Sequence, residues 1–326
     1  MAATLRILTR AGRFIGDSVL ALGVLWAVGL LVFQPVCIIP AVVLAAVAVW
    51  IAYRRKERLL RTWLWVFFLL SLLMYQLLPN PKGPWQQPWR HLPECSLDGD
   101  ILTVRSLRNF SYTTEDDFQP RYETRTYDLS TLVGADYAEC RWDGHREICH
   151  TMVSFAFADG RHLVFSAETR LPQGAAQNAL GGIYKCYGLA HLIGTEEDIF
   201  ALRTNYRHED LSLYPLNITP EETMRMFINL LAIAETNNKT GRVYNTVTAN
   251  CSTIYVNLMR HRMQDLPKHG LLLPVFNARI LEVLYKNNCL KTRPGESLSQ
   301  LRARSQAGYD IPLKNYSRNL RARLQK

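Results

Sequence analysis

The stretch "EICHTMVSFAFADGRHLVFSAETR", residues 147–170, decides the fold. Two runs rich in Val, Phe and Thr flank Asp159-Gly160, a dipeptide suited to the tight turns that join antiparallel strands. The segment predicts a β-hairpin, and its neighbours read the same way. Upstream, "DILTVRSL" (100–107), "YETRTYDL" (122–129) and "ADYAECRW" (135–142) are strand-like, the first two with clear alternation. Downstream, "LSLYPLNI" (211–218) is a further strand, followed by a helix in "TPEETMRMFINLLAIAETNN" (219–238). Thr219 is the expected N-cap, Pro220 the first helical residue and Glu222 the capping-box partner. Met226, Phe227, Leu230, Leu231, Ile233 and Ala234 line one face of that helix. "KCYGLAHLIG" (185–194) and "DIFALRTNY" (198–206) fit helix or strand equally, and the tail from Pro274 has room for one or two helices. The fold class is α+β, with an antiparallel sheet and a few helices.

The 326-residue chain is long enough for a membrane part and a globular domain. Apolar runs cover Ile15–Phe33, Cys37–Tyr53 and Thr62–Leu78. Each holds roughly 17–20 residues, near the length a helix needs to cross the ~30 Å hydrocarbon layer. Two further runs follow the first at once and no small-residue cleavage site stands out, which argues against a signal peptide. Residues 1–78 are therefore expected to be a three-helix anchor. Arg6, Arg10 and Arg13 precede the first run, and Arg54, Arg55, Lys56, Arg58 and Arg61 lie between the second and third. The positive-inside rule puts these in the cytoplasm and everything after Leu78 on the outer face, in a bacterium the periplasm. Much of the +10 net charge is thus a topology signal. No aromatic-basic stripe appears, so nucleic acid is not an expected partner. Residues 79–99 read as a linker, rich in Pro and Trp, with Trp85 and Trp89 suited to the membrane interface. Residues 100–326 form the outer domain, ending in a basic tail, "NYSRNLRARLQK", read as solvated.

Seven cysteines are present, one of them, Cys37, in an apolar run. Cys140 and Cys149 could close a short disulfide loop in an oxidising compartment. No cysteine spacing fits zinc, and neither metal nor cofactor is expected. Cys251, in "YNTVTANCSTIYVNLMRHRM" (244–263), stands where a polar run gives way to a helical one. A thiolate at a helix start is stabilised by unpaired N–H groups, with Asn250 or Thr248 as cap. The alternative is an inert buried thiol. A nucleophilic cysteine needs a base, most often histidine. Of eight histidines, His150 is the best placed, on the first strand of the hairpin, and His191 is second. His162 is expected to face solvent, and His261 lies three turns along the helix from Cys251. Glu168 on the return strand could orient His150 if the register puts both on one face, or could pair with Arg170 or Arg203 instead. Oxyanion donors would be the Cys251 N–H and the side chain of Asn245 or Tyr244.

At these residues a family resemblance appears. "HTMVSFAFADGRHLVFSAETR", "IGTEEDIFALRTNY", "LYPLNITPEE" and "YNTVTANCSTIYVNL", in this order over roughly residues 100–265, resemble the Lnb N-terminal periplasmic domain family. The resemblance implies a bacterial envelope protein of lipoprotein N-acyltransferase type, with Cys251 as nucleophile and His150 as base. The His-before-Cys order and the Asn250-Cys251 pair are also similar to circularly permuted papain-like enzymes, such as the lecithin:retinol acyltransferase group. Here the apolar runs precede the domain, whereas in the family's acyltransferase they follow it. The expected activity is thiol acyl transfer or hydrolysis on membrane lipids or lipoproteins. A cell-wall peptidase or amidase, or a non-catalytic envelope interaction domain, are the alternatives. Arg170 and Arg203 would meet a headgroup phosphate, or pair internally with Glu196, Glu197 or Asp198. The expected location is the bacterial inner membrane with the N-terminus cytoplasmic; oligomeric state is left open.

Overall fold

The structure, a computed structural model, describes residues 2–34, 38–53, 57–142, 144, 147–259 and 277–324. Cys37, Arg54, Arg55, Lys56, His145, His261 and His269 lie outside the described residues. The chain divides into two compact units, residues 1–80 with 178–186, and residues 81–177 with 187–326.

In the first unit, apolar composition yields three helices: α1 (Ala2–Phe33), α2 (Ile38–Tyr53) and α3 (Glu57–Leu77). Phe14–Phe33 and Glu57–Leu77 are long and apolar enough to cross a membrane. α2 has 16 residues, about 24 Å at 1.5 Å per residue, short of the ~30 Å hydrocarbon layer. The second of the three expected crossings is therefore a shorter apolar helix. Residues 178–186, which contain α4 (Ala179–Ile183), belong to this unit. Tyr184 stacks on Phe33 with ring centroids 5.2 Å apart, and its carbonyl accepts from Gln34 Nε2 at 2.6 Å.

The second unit is built on a sheet. Its strands are β1 (Glu94–Asp98), β2 (Ile101–Arg108), β3 (Ser111–Tyr112), β4 (Phe118–Gln119), β5 (Tyr122–Asp128) and β6 (Leu132–Arg141). They continue with β7 (His150–Phe157), β8 (His162–Arg170), β9 (Gly188–Gly194) and β10 (Asp210–Pro215). β3 and β4 pair separately; the other eight form one sheet in the order β1-β2-β9-β8-β7-β6-β10, with β5 on β2. The sheet begins at Glu94, inside the stretch read as linker. It is mixed rather than purely antiparallel, because β2 meets β9 in parallel at Arg108 and Gly194. The hairpin forms as its turn chemistry demands. β7 pairs antiparallel with β8 around Asp159-Gly160, and Gly160 takes a positive φ of 83°.

Side-chain alternation divides the core in two. On one face Val153, Phe155, Leu163 and Phe165 pack against α6 (Pro220–Thr240), α7 (Thr253–Met259), α8 (Ile280–Lys286) and α9 (Leu298–Ser305). On the other, Ala138, Cys140, Met152 and Val164 meet α5 (Glu196–Ala201) and α10 (Tyr316–Leu324). α6 carries the expected Thr219–Glu222 capping box and ends on Gly241 in the left-handed region. The two ambiguous segments resolve into a strand at 188–194, and helix α5 with a π-helical turn over Leu202–Tyr206.

Three expectations fail here, and one open possibility, the Cys140–Cys149 disulfide, is closed. The tail from residue 277 holds three helices rather than one or two. Its basic end is docked rather than solvated: Tyr316 and Leu320 are fully buried, and Arg321 bonds Asp136 and Glu196. An arginine brought to two buried carboxylates neutralises charge that could not otherwise stay in the interior. Among the described residues no disulfide forms; Cys140 Sγ instead donates to Glu209 Oε2 at 2.8 Å. His162 does not face solvent, since only 12% of its side chain is exposed and Nδ1 lies 3.1 Å from Ser317 Oγ.

Candidate functional site

Two side-chain clusters meet where β7 begins. The first is charged. His150 opens β7, and its Nε2 lies 2.8 Å from Ser166 Oγ on β8. Ser166 donates to Glu168 Oε1 at 2.9 Å, and the direct His150–Glu168 separation is 3.9 Å. The register does put imidazole and carboxylate on one face. Glu168 also receives Arg203 Nη2 at 3.2 Å and the Trp89 indole N–H at 2.8 Å. Burial opposes ionising Glu168, but Arg203 and then Arg108, helped by the Trp89 donor, outweigh it and hold the carboxyl well below its ordinary range. Burial, with Arg203 and Arg207, pushes His150 down to about 3 against the opposing pull of Glu168, so the ring is neutral.

The second cluster is uncharged. Cys251 lies two residues ahead of α7, whose first N–H groups are capped by Asn250: its Oδ1 accepts from Ser252 N at 2.9 Å and Thr253 N at 3.2 Å. The sulfur is partly exposed, 3.9 Å from the Cys149 carbonyl, 3.7 Å from Ser252 Oγ and 3.6 Å from Asn277 Nδ2. Ser252 Oγ in turn lies 3.2 Å from Thr151 Oγ1. Asn277, 2% exposed, clamps Cys149 from both sides, accepting from its N–H at 2.7 Å and donating to its carbonyl at 2.5 Å.

The clusters share a peptide but not a face. Thr151 turns toward Ser252, so alternation turns His150 the other way, toward Ser166. Standard geometry places a carbonyl oxygen about 2.8 Å from the next Cα, so the sulfur lies within about 7 Å of the His150 Cα. Among the described residues no hydrogen bond joins the sulfur to an imidazole. Glu139, paired with Thr151 in the ladder, is the carboxyl on the sulfur's side of the sheet, and burial pushes it up to about 7 despite Arg141.

The remaining expected site residues are placed as follows. Tyr244 hydrogen-bonds Thr169. Asn245 Oδ1 accepts from Val247 N and Thr248 N, each at 2.9 Å, while its Nδ2 makes no hydrogen bond among the described residues. The helix start is capped by Asn250 and not by Thr248. Arg170 donates to the carbonyls of Trp89 and Arg90 and lies over the Trp85 ring at 4.5 Å. Arg203 is committed to Glu168, the Ile199 carbonyl and, at 3.9 Å, Glu209; two acids of α5 pair elsewhere, Asp198 with Arg108 and Glu196 with Arg321, and Glu197 is exposed. His191 is buried with Nε2 2.8 Å from Asn237 Nδ2, and burial pushes it down to about 4. Trp85 lies under Arg170 and Trp89 donates to Glu168, both residues of β8.

Sequence reasoning missed Ser166, Trp89, Ser252 and Asn277. Ser166 was within reach, since it sits two residues before Glu168 on the same face of one strand. Asn277 gave no signal: it stands 26 residues beyond Cys251, outside every motif.

Fold and site define a mixed-sheet α+β domain with a partly exposed thiol at a strand end, carried on a chain with N-terminal apolar helices. The chain belongs to the Lnb N-terminal periplasmic domain family, whose profile matches residues 118–284. No curated protein and no solved structure matches it. The domain is periplasmic, and with the apolar helices this fits a membrane-anchored protein.

Proposed function

We propose that the periplasmic domain is a thiol acyltransferase or hydrolase working through Cys251, in a permuted papain-like arrangement at the membrane surface. The observation that carries this reading is the seat of the sulfur: partly exposed, ahead of a capped helix, and 3.9 Å from the carbonyl that precedes His150. The thiolate attacks an ester or amide carbonyl of a lipid or lipoprotein. The alcohol or amine leaves with the proton taken from the thiol, and the thioester passes its acyl group to an amine or to water. The Cys251 N–H and Asn245 Nδ2 are the donors for the oxyanion.

His150 is the base, oriented through Ser166 by Glu168. To reach the sulfur on the other face, His150 must turn over at the first residue of β7, leaving its pairing with Cys140 as well as its bond to Ser166. That turn also takes it away from Arg203, a main cause of its low basicity after burial. Residues 1–78 supply the anchor, with α2 as the second of three crossings and the N-terminus cytoplasmic.

Mass spectrometry of the full-length protein isolated from membranes tests the reading. An acyl adduct on Cys251, absent from Cys251→Ser, is expected. A folded protein with no adduct, together with an envelope phenotype unchanged in Cys251→Ala, overturns it. A second reading, a non-catalytic envelope domain, is favoured by the engagement of His150 Nε2 with Ser166 on the opposite face. It predicts that unchanged phenotype.

A further inference from the structure

We infer that Asn277 and Ser252 form a polar pair that makes the Cys251 sulfur easier to ionise, by contacts separate from the proposed base. This rests on the reading of Cys251 as the nucleophile. Asn277 Nδ2 carries two hydrogens and faces three acceptors: the Cys149 carbonyl at 2.5 Å, Ser252 Oγ at 2.6 Å and the sulfur at 3.6 Å. The Cys149 carbonyl oxygen lies 3.9 Å from the sulfur, and its partial negative charge would oppose a thiolate. Asn277 draws on that charge by bonding the carbonyl. Its second hydrogen goes to Ser252 Oγ, which is thereby an acceptor in that bond. The one Ser252 O–H is left with two partners, Thr151 Oγ1 at 3.2 Å and the sulfur at 3.7 Å. When the sulfur becomes an anion it is the stronger acceptor, and the Ser252 O–H turns to it.

The surroundings keep the competition simple. The groups facing the sulfur are the phenols of Tyr137 on β6, Tyr244 in the preceding loop and Tyr255 on α7, and the thiol of Cys149. Burial holds each of these four above its ordinary range, so they stay neutral at physiological pH. The Glu139 carboxyl on the same side of the sheet, raised to about 7 by burial and paired with Arg141, is common to wild type and variants. Asn277 and Ser252 are 2% and 0% exposed, so neither donor is screened by solvent.

The test is alkylation of the full-length, detergent-solubilised protein by iodoacetamide from pH 6 to 10, with the Cys251 peptide followed by mass spectrometry. Asn277→Asp keeps the shape and removes the donors. Ser252→Ala removes the hydroxyl, and Ser252→Thr keeps it. Asn277→Asp uncovers the Cys149 carbonyl charge and adds a carboxylate beside the sulfur, and is expected to slow alkylation at pH 7 by about tenfold or more and to move the pH–rate profile upward. The serine pair separates donation from added charge. Ser252→Ala moves it the same way by less, and Ser252→Thr restores it. An unchanged profile in folded Asn277→Asp overturns the inference. If that variant does not fold, the serine pair decides: equal rates in Ser252→Ala and Ser252→Thr overturn it, and a slower alanine variant supports it. The readout needs no substrate, so the donor pair can stand even where no acyl adduct is found.

Discussion

The two faces of the sheet where β7 begins handle polarity in opposite ways. On the α5 face, His150, Ser166, Glu168, Arg203 and Trp89 form a closed charged network. On the α7 face, the sulfur of Cys251 is surrounded by a carboxamide, hydroxyls and a carbonyl. The contrast teaches where cost and reactivity sit. A buried ion pair is held by mutual neutralisation and punishes the loss of either partner. A neutral cluster leaves no unpaired charge behind when one member changes, and it bears on how readily the thiol beside it ionises. The charged face is tied by ion pairs, and the neutral face holds the partly exposed Cys251.

Four experiments break or sharpen this contrast. The largest effect is expected from Cys251→Ala, which removes the proposed nucleophile: the proposed acyl transfer or hydrolysis falls by at least about 10³-fold, while the thermal midpoint stays within a few degrees. A comparable loss of stability would instead put Cys251 in a structural role. Next, Glu168→Ala leaves Arg203 buried beside an empty site and costs roughly 3–5 kcal/mol in urea unfolding. The isosteric Glu168→Gln costs less, and equal costs would deny the ion pair its role.

The third experiment is a pH series. The folded state holds His150 down at about 3, below its ordinary 6.5, so between these values the unfolded chain binds the extra proton. Stability from this group is fully present above about pH 6.5 and is lost as pH falls toward 3. His150→Gln flattens that acid limb by on the order of a few kcal/mol, read by denaturation at pH 4 and pH 7. Parallel curves for variant and wild type would show that the ring titrates normally. The smallest effect belongs to Trp89→Phe, which keeps the ring and removes one donor to Glu168. It costs about 1–2 kcal/mol, and the loss should vanish in a Glu168→Gln background if the indole acts through the carboxylate.

Legibility in the sequence followed the range of the interactions. The 150–170 hairpin and the capped α6 helix were readable because turn residues, caps and periodicity act over a few positions. Cys251, His150 and Glu168 could be singled out by residue type and local setting. What they touch could not, since whether His150 shares a face with Glu168 or with the sulfur depends on register and on which helix covers which side. The docking of the basic tail through Arg321, and the folding of Trp85 and Trp89 against β8, also lay outside local pattern. Both depend on partners that are distant in sequence, such as Asp136, Glu196 and Glu168.

By itself the sequence determined the apolar N-terminal helices, the strand-rich outer domain, the membership of its family and a short roster of reactive side chains, because composition and short-range periodicity encode these directly. Only the tertiary structure decided that β-alternation splits the roster between two faces, and that Asn277, from far along the chain, closes the neutral side around the sulfur. The physical reason is that a strand turns each successive side chain to the opposite side. Which side becomes which environment is settled only when the helices pack.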